Sequence, residues 1–176
     1  FILKPLRKMN PGAKIIDTSA GIPALELEEK CGHDDCHEHH HGSKNPHLFA
    51  SPFEAVRIVE NIARGLEAAD PANAAAYRAN AGVYTEKLRK LCGEFTAAAR
   101  KYRFSERKIV TQHGVFDYLA HHLKLSVAAT ISGEPEAGTT ASEMASLVKK
   151  LKGAGISVIY TEPQYPSRVA RTIGRE

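Results

Sequence analysis

The sequence predicts an α/β protein built on parallel strands, and three observations carry that prediction. From Lys108 to Pro163 strand-like and helix-like segments alternate, "KIVTQ", "GVFDYLAHHLKL", "SVAATI", "SEMASLVKKLKGAG" and "ISVIYTEP", the pattern of βαβ units with right-handed crossovers. Before them, Tyr77, Tyr84, Leu91 and Ala98 recur every seven residues, interleaved with Ala81, Leu88, Phe95 and Tyr102. They mark one helix from about Pro71 to Tyr102, on the order of 45 Å long, of a size used as a strut between lobes or as part of a bundle. Third, the chain opens with a further short apolar run set between turns, "NPGAKIIDTSAGI", which reads as another strand of an α/β unit.

Taken in order, "LRKM" reads as the end of a helix and Pro11-Gly12 as a turn. Lys14 to Asp17 then reads as the short strand, and Ala20-Gly21 as a second turn. A polar segment follows. Ser51-Pro52-Phe53-Glu54 then combines an N-cap serine, a proline at the first helical position and a glutamate completing a capping box. Val56, Val59, Ile62, Ala63 and Leu66 give that helix its apolar face, and Asp70-Pro71 ends it and starts the long helix. No internal repeat is present.

With 176 residues, 43% of them hydrophobic and 25% charged, the chain is long enough to bury a core in one or two units. No run of eighteen apolar residues exists, so nothing reads as membrane-spanning. The start "FILKPLRKMNPGAK" lacks the order of a secretory signal; a first residue of Phe and an apolar run without a preceding turn predict a chain that begins inside a larger protein, any export signal already removed. The net charge of +4 comes from basic residues scattered beside acids, as in "SERK" and "EKLRKLCGE". This is the signature of a solvated surface and not of a nucleic-acid footprint.

The chemistry-bearing residues concentrate in "CGHDDCHEHHHGSKNPHLF", residues 31 to 49, which holds six of the nine histidines and two of the three cysteines. Cys31 and Cys36 are close enough for a local disulfide, though nothing requires one, while Cys92 sits in the long helix. A zinc-finger reading fails on spacing, because the histidines follow Cys36 at one, three, four and five residues and not after about twelve. His47 follows a rigid Asn-Pro pair that would hold its ring direction, and a surface role is the alternative. His113 follows "KIVTQ", at the carboxyl end of a strand where parallel sheets place ligands, or else it is a helix-start residue satisfied by backbone. Two histidines are half of a tetrahedral zinc site. His121 and His122 read as surface or partly buried helix residues. Glu162, at the same sheet edge as His113, either orients a ligand or is an ordinary strand-end carboxylate.

In "NPGAKIIDTSAGI", the His-rich segment, "NPHLFASP", "DPANAAAYRAN", "IVTQHGVFDYLAHHLKL" and "VIYTEPQ", the chain resembles the solute-binding proteins of metal-transporting ABC systems, the ZnuA- and TroA-like zinc and manganese receptors, across nearly its whole length. The resemblance implies two α/β lobes with parallel sheets joined by a long rigid helix. Residues 1–70 would end the first lobe and carry the His-rich loop 31–43, 71–104 would form the interlobe helix, and 105–176 would begin the second lobe. The family pattern Asp-Pro-His-x-Trp corresponds to Asn45-Pro46-His47-Leu48-Phe49, and His-Asp-Ala-Phe to His113-Gly114-Val115-Phe116. His47 and His113 are thereby implied as two of four metal ligands. The departures are Asn45 and Gly114 for aspartates and Phe49 for tryptophan. A first ligand histidine would precede this chain and a last, acidic one would follow Glu176.

His33, His37, His39, His40 and His41 fall where zinc-handling members carry a His- and acid-rich insertion. Neighbouring imidazoles can bind zinc weakly in competition with protons, so the expected role is a low-affinity collector or sensor; a solvated loop without a transport role is the alternative. The resemblance implies a periplasmic or extracytoplasmic, envelope-associated receptor that captures Zn2+, with Mn2+ disfavoured because imidazole suits zinc while manganese favours oxygen. It would hand the ion to a membrane permease and catalyse nothing, with small movements on release. A zinc-dependent hydrolase with Glu162 as base is the enzyme alternative, without HExxH, a Gly-x-Ser-x-Gly elbow or a Gly-rich phosphate loop to support it. Manganese receptor or adhesin is the alternative within the family, and sheet edges left unpaired would favour swapping or dimerisation.

Overall fold

The computed structural model describes residues 3–26, 44–131, 141–164 and 168–175. Helices α1 (Leu3–Met9), α2 (Pro52–Ala69) and α3 (Ala74–Lys101) precede strand β1 (Lys108–Thr111), helix α4 (Asp117–Leu123), strand β2 (Ser126–Thr130), helix α5 (Ala141–Leu151), strand β3 (Ile156–Tyr160) and helix α6 (Arg168–Ile173). The three strands form one parallel sheet in the order β2-β1-β3. The expected α/β alternation is therefore present, strand for strand.

β1 is central, and its last three residues are buried, as expected of a parallel strand covered on both faces. Val110, with no exposed surface, packs with Ala129, Ile131, Leu151 and Ala170, so that α5 and α6 contribute to the core on its side of the sheet. The backbone of Gln112 continues the ladder by donating to Tyr160 O (2.9 Å). The carboxyl ends of β1 and β3 thus stay together beyond their last paired residues. Among the described residues no helix is long and apolar enough to cross a membrane.

Four local expectations are corrected. Lys14 to Asp17 is not a strand, because among the described residues it pairs with none. It is a strap held along α2: Lys14 Nζ donates to Ala69 O at the helix end (2.8 Å), and buried Asn61 Nδ2 donates to Thr18 O (2.8 Å) and Ala20 O (2.9 Å). The Ser51 capping box does not form. Among the described residues Ser51 Oγ is buried without a hydrogen-bond partner, and Glu54 Oε1 instead accepts from His122 Nε2 at 2.5 Å. A tertiary hydrogen bond takes the carboxylate that a local motif would have used.

The long helix begins at Ala74 and not Pro71, because Pro71–Asn73 forms a 3-10 turn. There Asp70 accepts from Asn73 Nδ2 and Tyr77 Oη, each at 2.8 Å, and these bonds hold its carboxyl below the usual aspartate range. The buried stripe of α3 carries Thr85 and Leu88, whereas Tyr84 and Leu91, of the predicted repeat, are 52% and 39% exposed. Among the described residues α3 packs mainly on α2, so one narrow stripe suffices.

Gly65 marks the close approach of strap and helix. A Cβ there would meet Ile16 Cγ1 at 2.6 Å and Cδ1 at 2.8 Å. Gly65→Ala should therefore destabilise the protein by about 1–3 kcal/mol through overpacking, against the roughly 1 kcal/mol gain in helix propensity that alanine brings at an unobstructed site. Urea denaturation would show a lower midpoint; a raised midpoint would mean that the strap yields freely.

Candidate metal centre

The loop motif and the strand-end motif meet. His47 opens a 3-10 turn, His47–Ala50, which packs on a second 3-10 turn, Gly114–Phe116, that follows His113. The two imidazoles lie with ring centroids 4.4 Å apart and planes at 82°. They are sixty-six positions apart in sequence and in contact in space.

Each half of the pair is positioned for a physical reason. His113 has extended backbone, φ −149° and ψ 156°, and stands just past β1, where the central strand aims its carboxyl end out of the sheet. Glu162 leaves β3 at the same edge. Among the described residues its Oε1 is buried without a hydrogen-bond partner, 3.8 Å from His113 Nδ1, and its Oε2 accepts from Gln164 Nε2 (2.6 Å). The side chains of His113 and Glu162 are only 19% and 13% exposed. A buried carboxylate oxygen lacking a donor is costly, and this one faces the His113 imidazole.

Behind His47 stands Asn45, which is 1% exposed. Its Oδ1 lies 2.9 Å from the His47 main-chain nitrogen and 2.8 Å from His47 Nδ1, while its Nδ2 donates to Gly114 O (2.8 Å) and Asp117 Oδ2 (2.9 Å). Its main chain donates to Leu25 O (2.8 Å) and accepts from Tyr118 Oη (2.7 Å). In the sequence Asn45 is legible only as part of the Asn-Pro pair and as a departure from the family pattern, and nothing local marks Asp117 or Tyr118 as its partners. A polar residue directly before the Pro-His pair was the available signal for Asn45, but partners seventy residues away left no local trace.

His121 and His122 are both exposed, as expected, and His122 stacks on Phe53 with centroids 4.4 Å apart and planes at 13°. Cys92 is a free thiol in α3, and burial pushes its pKa up, which disfavours the thiolate that metals bind. His33, His37, His39, His40, His41, Cys31 and Cys36 lie outside the described residues. Among the described residues no group of three or more His, Cys, Asp or Glu side chains is arranged to hold a metal ion. The chain brings together a pair of imidazoles, which is two of the four donors a tetrahedral ion needs.

The zinc-uptake complex component A (periplasmic) family model, ZnuA, matches residues 1–176. The chain is 35% identical over 178 aligned residues to the zinc-binding protein AdcA of Streptococcus pyogenes serotype M6, covering 93% of this chain and 34% of that protein. Among solved structures it is similar to FpvC of Pseudomonas aeruginosa in complex with Mn2+, with TM-score 0.74 and 30% identity over 94% of this chain and 57% of that one. It is also similar to a crystal structure of ZnuA, with TM-score 0.77 and 25% identity over 98% and 62%. The chain thus spans about a third of the curated relative.

Proposed function

The chain belongs to the family of periplasmic zinc-uptake component A proteins, and from that premise we propose that it serves an extracytoplasmic receptor that captures Zn2+ and delivers it to the permease of an ABC transporter, without catalysis. The observation that carries the reading is the convergence of the His47 and His113 imidazoles at one sheet edge. Zinc accepts imidazole nitrogen readily and has no geometric preference of its own, so a preformed pair at a protein surface can be completed by two further donors. A relative named for zinc binding supports the choice of ion.

In this proposal residues 1–70 close one lobe, 71–104 join the lobes and 105–176 open the second. The 28-residue α3 supports a stiff connection, and the whole sheet β2-β1-β3 lies on one side of it in sequence. His47 comes from the first lobe and His113 from the second, so the ion is held where the lobes meet. Glu162 acts behind His113, as a carboxylate whose buried oxygen compensates the ion's charge. The segment 31–43 is proposed as a low-affinity collector that raises the local zinc concentration beside the pair.

The Mn2+ complex of FpvC favours manganese as the second reading. Competition calorimetry on the full chain separates the two. Zn2+ should bind at least about 100-fold more tightly than Mn2+, as nitrogen donors and the position of the two ions in the divalent affinity series predict. Deleting residues 31–43 should lower the number of weakly bound Zn2+ ions and leave the tight site. Equal affinity for the two ions would overturn the zinc assignment, and an unchanged ion count after the deletion would overturn the collector.

A further inference from the structure

We infer that Asn45 is a positioning residue that locks His47 into the tautomer with its proton on Nδ1, and that it relays the charge of Asp117 to that ring. The inference rests on the proposed ligand role of His47 and adds the device that prepares it.

The orientation of the Asn45 amide follows from its partners. One terminal atom lies 2.8 Å from Gly114 O and 2.9 Å from Asp117 Oδ2. A carbonyl oxygen and an ionised carboxylate can only accept, so that atom must be the NH2 group. The other atom is therefore the carbonyl oxygen. It too can only accept, and it lies 2.9 Å from the His47 main-chain nitrogen and 2.8 Å from Nδ1. His47 Nδ1 must then carry its proton, and in a neutral imidazole the lone pair falls to Nε2. The nitrogen that can bind a cation is selected before any cation arrives.

The same amide joins a negative charge to the ring through two hydrogen bonds in series, from His47 Nδ1–H to Asn45 Oδ1 and from Asn45 Nδ2–H to Asp117 Oδ2. Each bond polarises the next, so the Asp117 carboxylate acts on the His47 ring through the Asn45 amide. Direct carboxylate contacts do this in many metal sites; here an amide stands between. Because Nδ2 also holds the carbonyl of Gly114, next to His113, one side chain sets the ring direction of the first imidazole and the distance to the second.

The test uses the metal-free full chain first. Long-range 1H–15N correlation spectra of the wild type near neutral pH should show His47 with Nδ1 protonated, and a ring protonated on Nε2 overturns the inference. Asp117→Asn keeps the size of the side chain and removes its charge. It should retain the His47 tautomer and weaken Zn2+ affinity about tenfold, within the range for partners behind metal ligands; unchanged affinity overturns the relay. Asn45→Leu should give mixed His47 tautomers, and a single retained Nδ1–H tautomer overturns the lock. Should that variant fail to fold, the wild-type tautomer and the Asp117→Asn affinity decide the matter. Zn2+ affinity unchanged in His47→Ala would sink the ligand reading while leaving the tautomer result standing, so the two failures are distinguishable.

Discussion

Replacing both His47 and His113 with alanine is expected to abolish tight zinc binding, lowering the affinity by at least about 1,000-fold in calorimetry, or roughly 4 kcal/mol at 1.4 kcal/mol per tenfold. The size follows from the donor count. A tetrahedral ion needs four ligands, and the variant leaves the ion without both of the imidazoles that meet at this edge. Each single replacement should fall between the wild type and the double variant. The fold should survive, because neither ring is part of the apolar core around Val110. In the His47 variant Asn45 Oδ1 still receives the main-chain N–H of residue 47, and Asn45 Nδ2 still holds Gly114 and Asp117. An unchanged thermal transition together with lost binding is the expected pair of results; unchanged binding would refute the ligand assignment.

The parts of the fold legible in the sequence are those in which local pattern and tertiary need agree. β1, β2 and β3 are short apolar runs between turn signals, and a parallel sheet covered on both faces demands such runs. The 3.6 period of α2 and the alternation beyond Lys108 were readable for the same reason. The strap at Lys14 to Asp17 shows the opposite case. Ile15 and Ile16 look like a strand, yet Ile16 packs on Gly65, and no pattern within five residues can tell a strap on a helix from a strand in a sheet. Ser51 and Glu54 match a local capping motif, but His122, sixty-eight positions from Glu54, takes the carboxylate. α6 went unpredicted, since six residues carry too little periodicity. Of the site, His47 and His113 were visible through motif resemblance and strand-end placement. Their contact was not, and neither was the Asn45 network, whose bonds to Gly114, Asp117 and Tyr118 span separations of 69 to 73 residues.

Tyr118→Phe is expected to have the largest effect on stability of any single-atom change near the site. Tyr118 is 2% exposed, and its hydroxyl accepts from Leu25 N (3.1 Å) and donates to Asn45 O (2.7 Å). Removing it leaves a partly buried main-chain donor and a buried acceptor each short of a bond, at about 1–3 kcal/mol apiece. Because Leu25 N and Asn45 O could each recover part of that loss, a total of about 2–4 kcal/mol is expected. In urea the midpoint should fall while the slope stays constant, since the surface exposed on unfolding is the same. The site should respond as well. Asn45 N donates to Leu25 O, and Glu26 pairs with Lys44 in an antiparallel bridge, so Tyr118 clamps the two chain segments that flank residues 27–43. Loosening that clamp frees Asn45, and with Asn45 the direction of His47. Zinc affinity should therefore drop with stability, although Tyr118 carries no atom that binds the ion. A variant that loses stability but keeps full affinity would show that Asn45 is held by Gly114 and Asp117 alone; one that loses neither would show that water replaces the hydroxyl between Leu25 and Asn45.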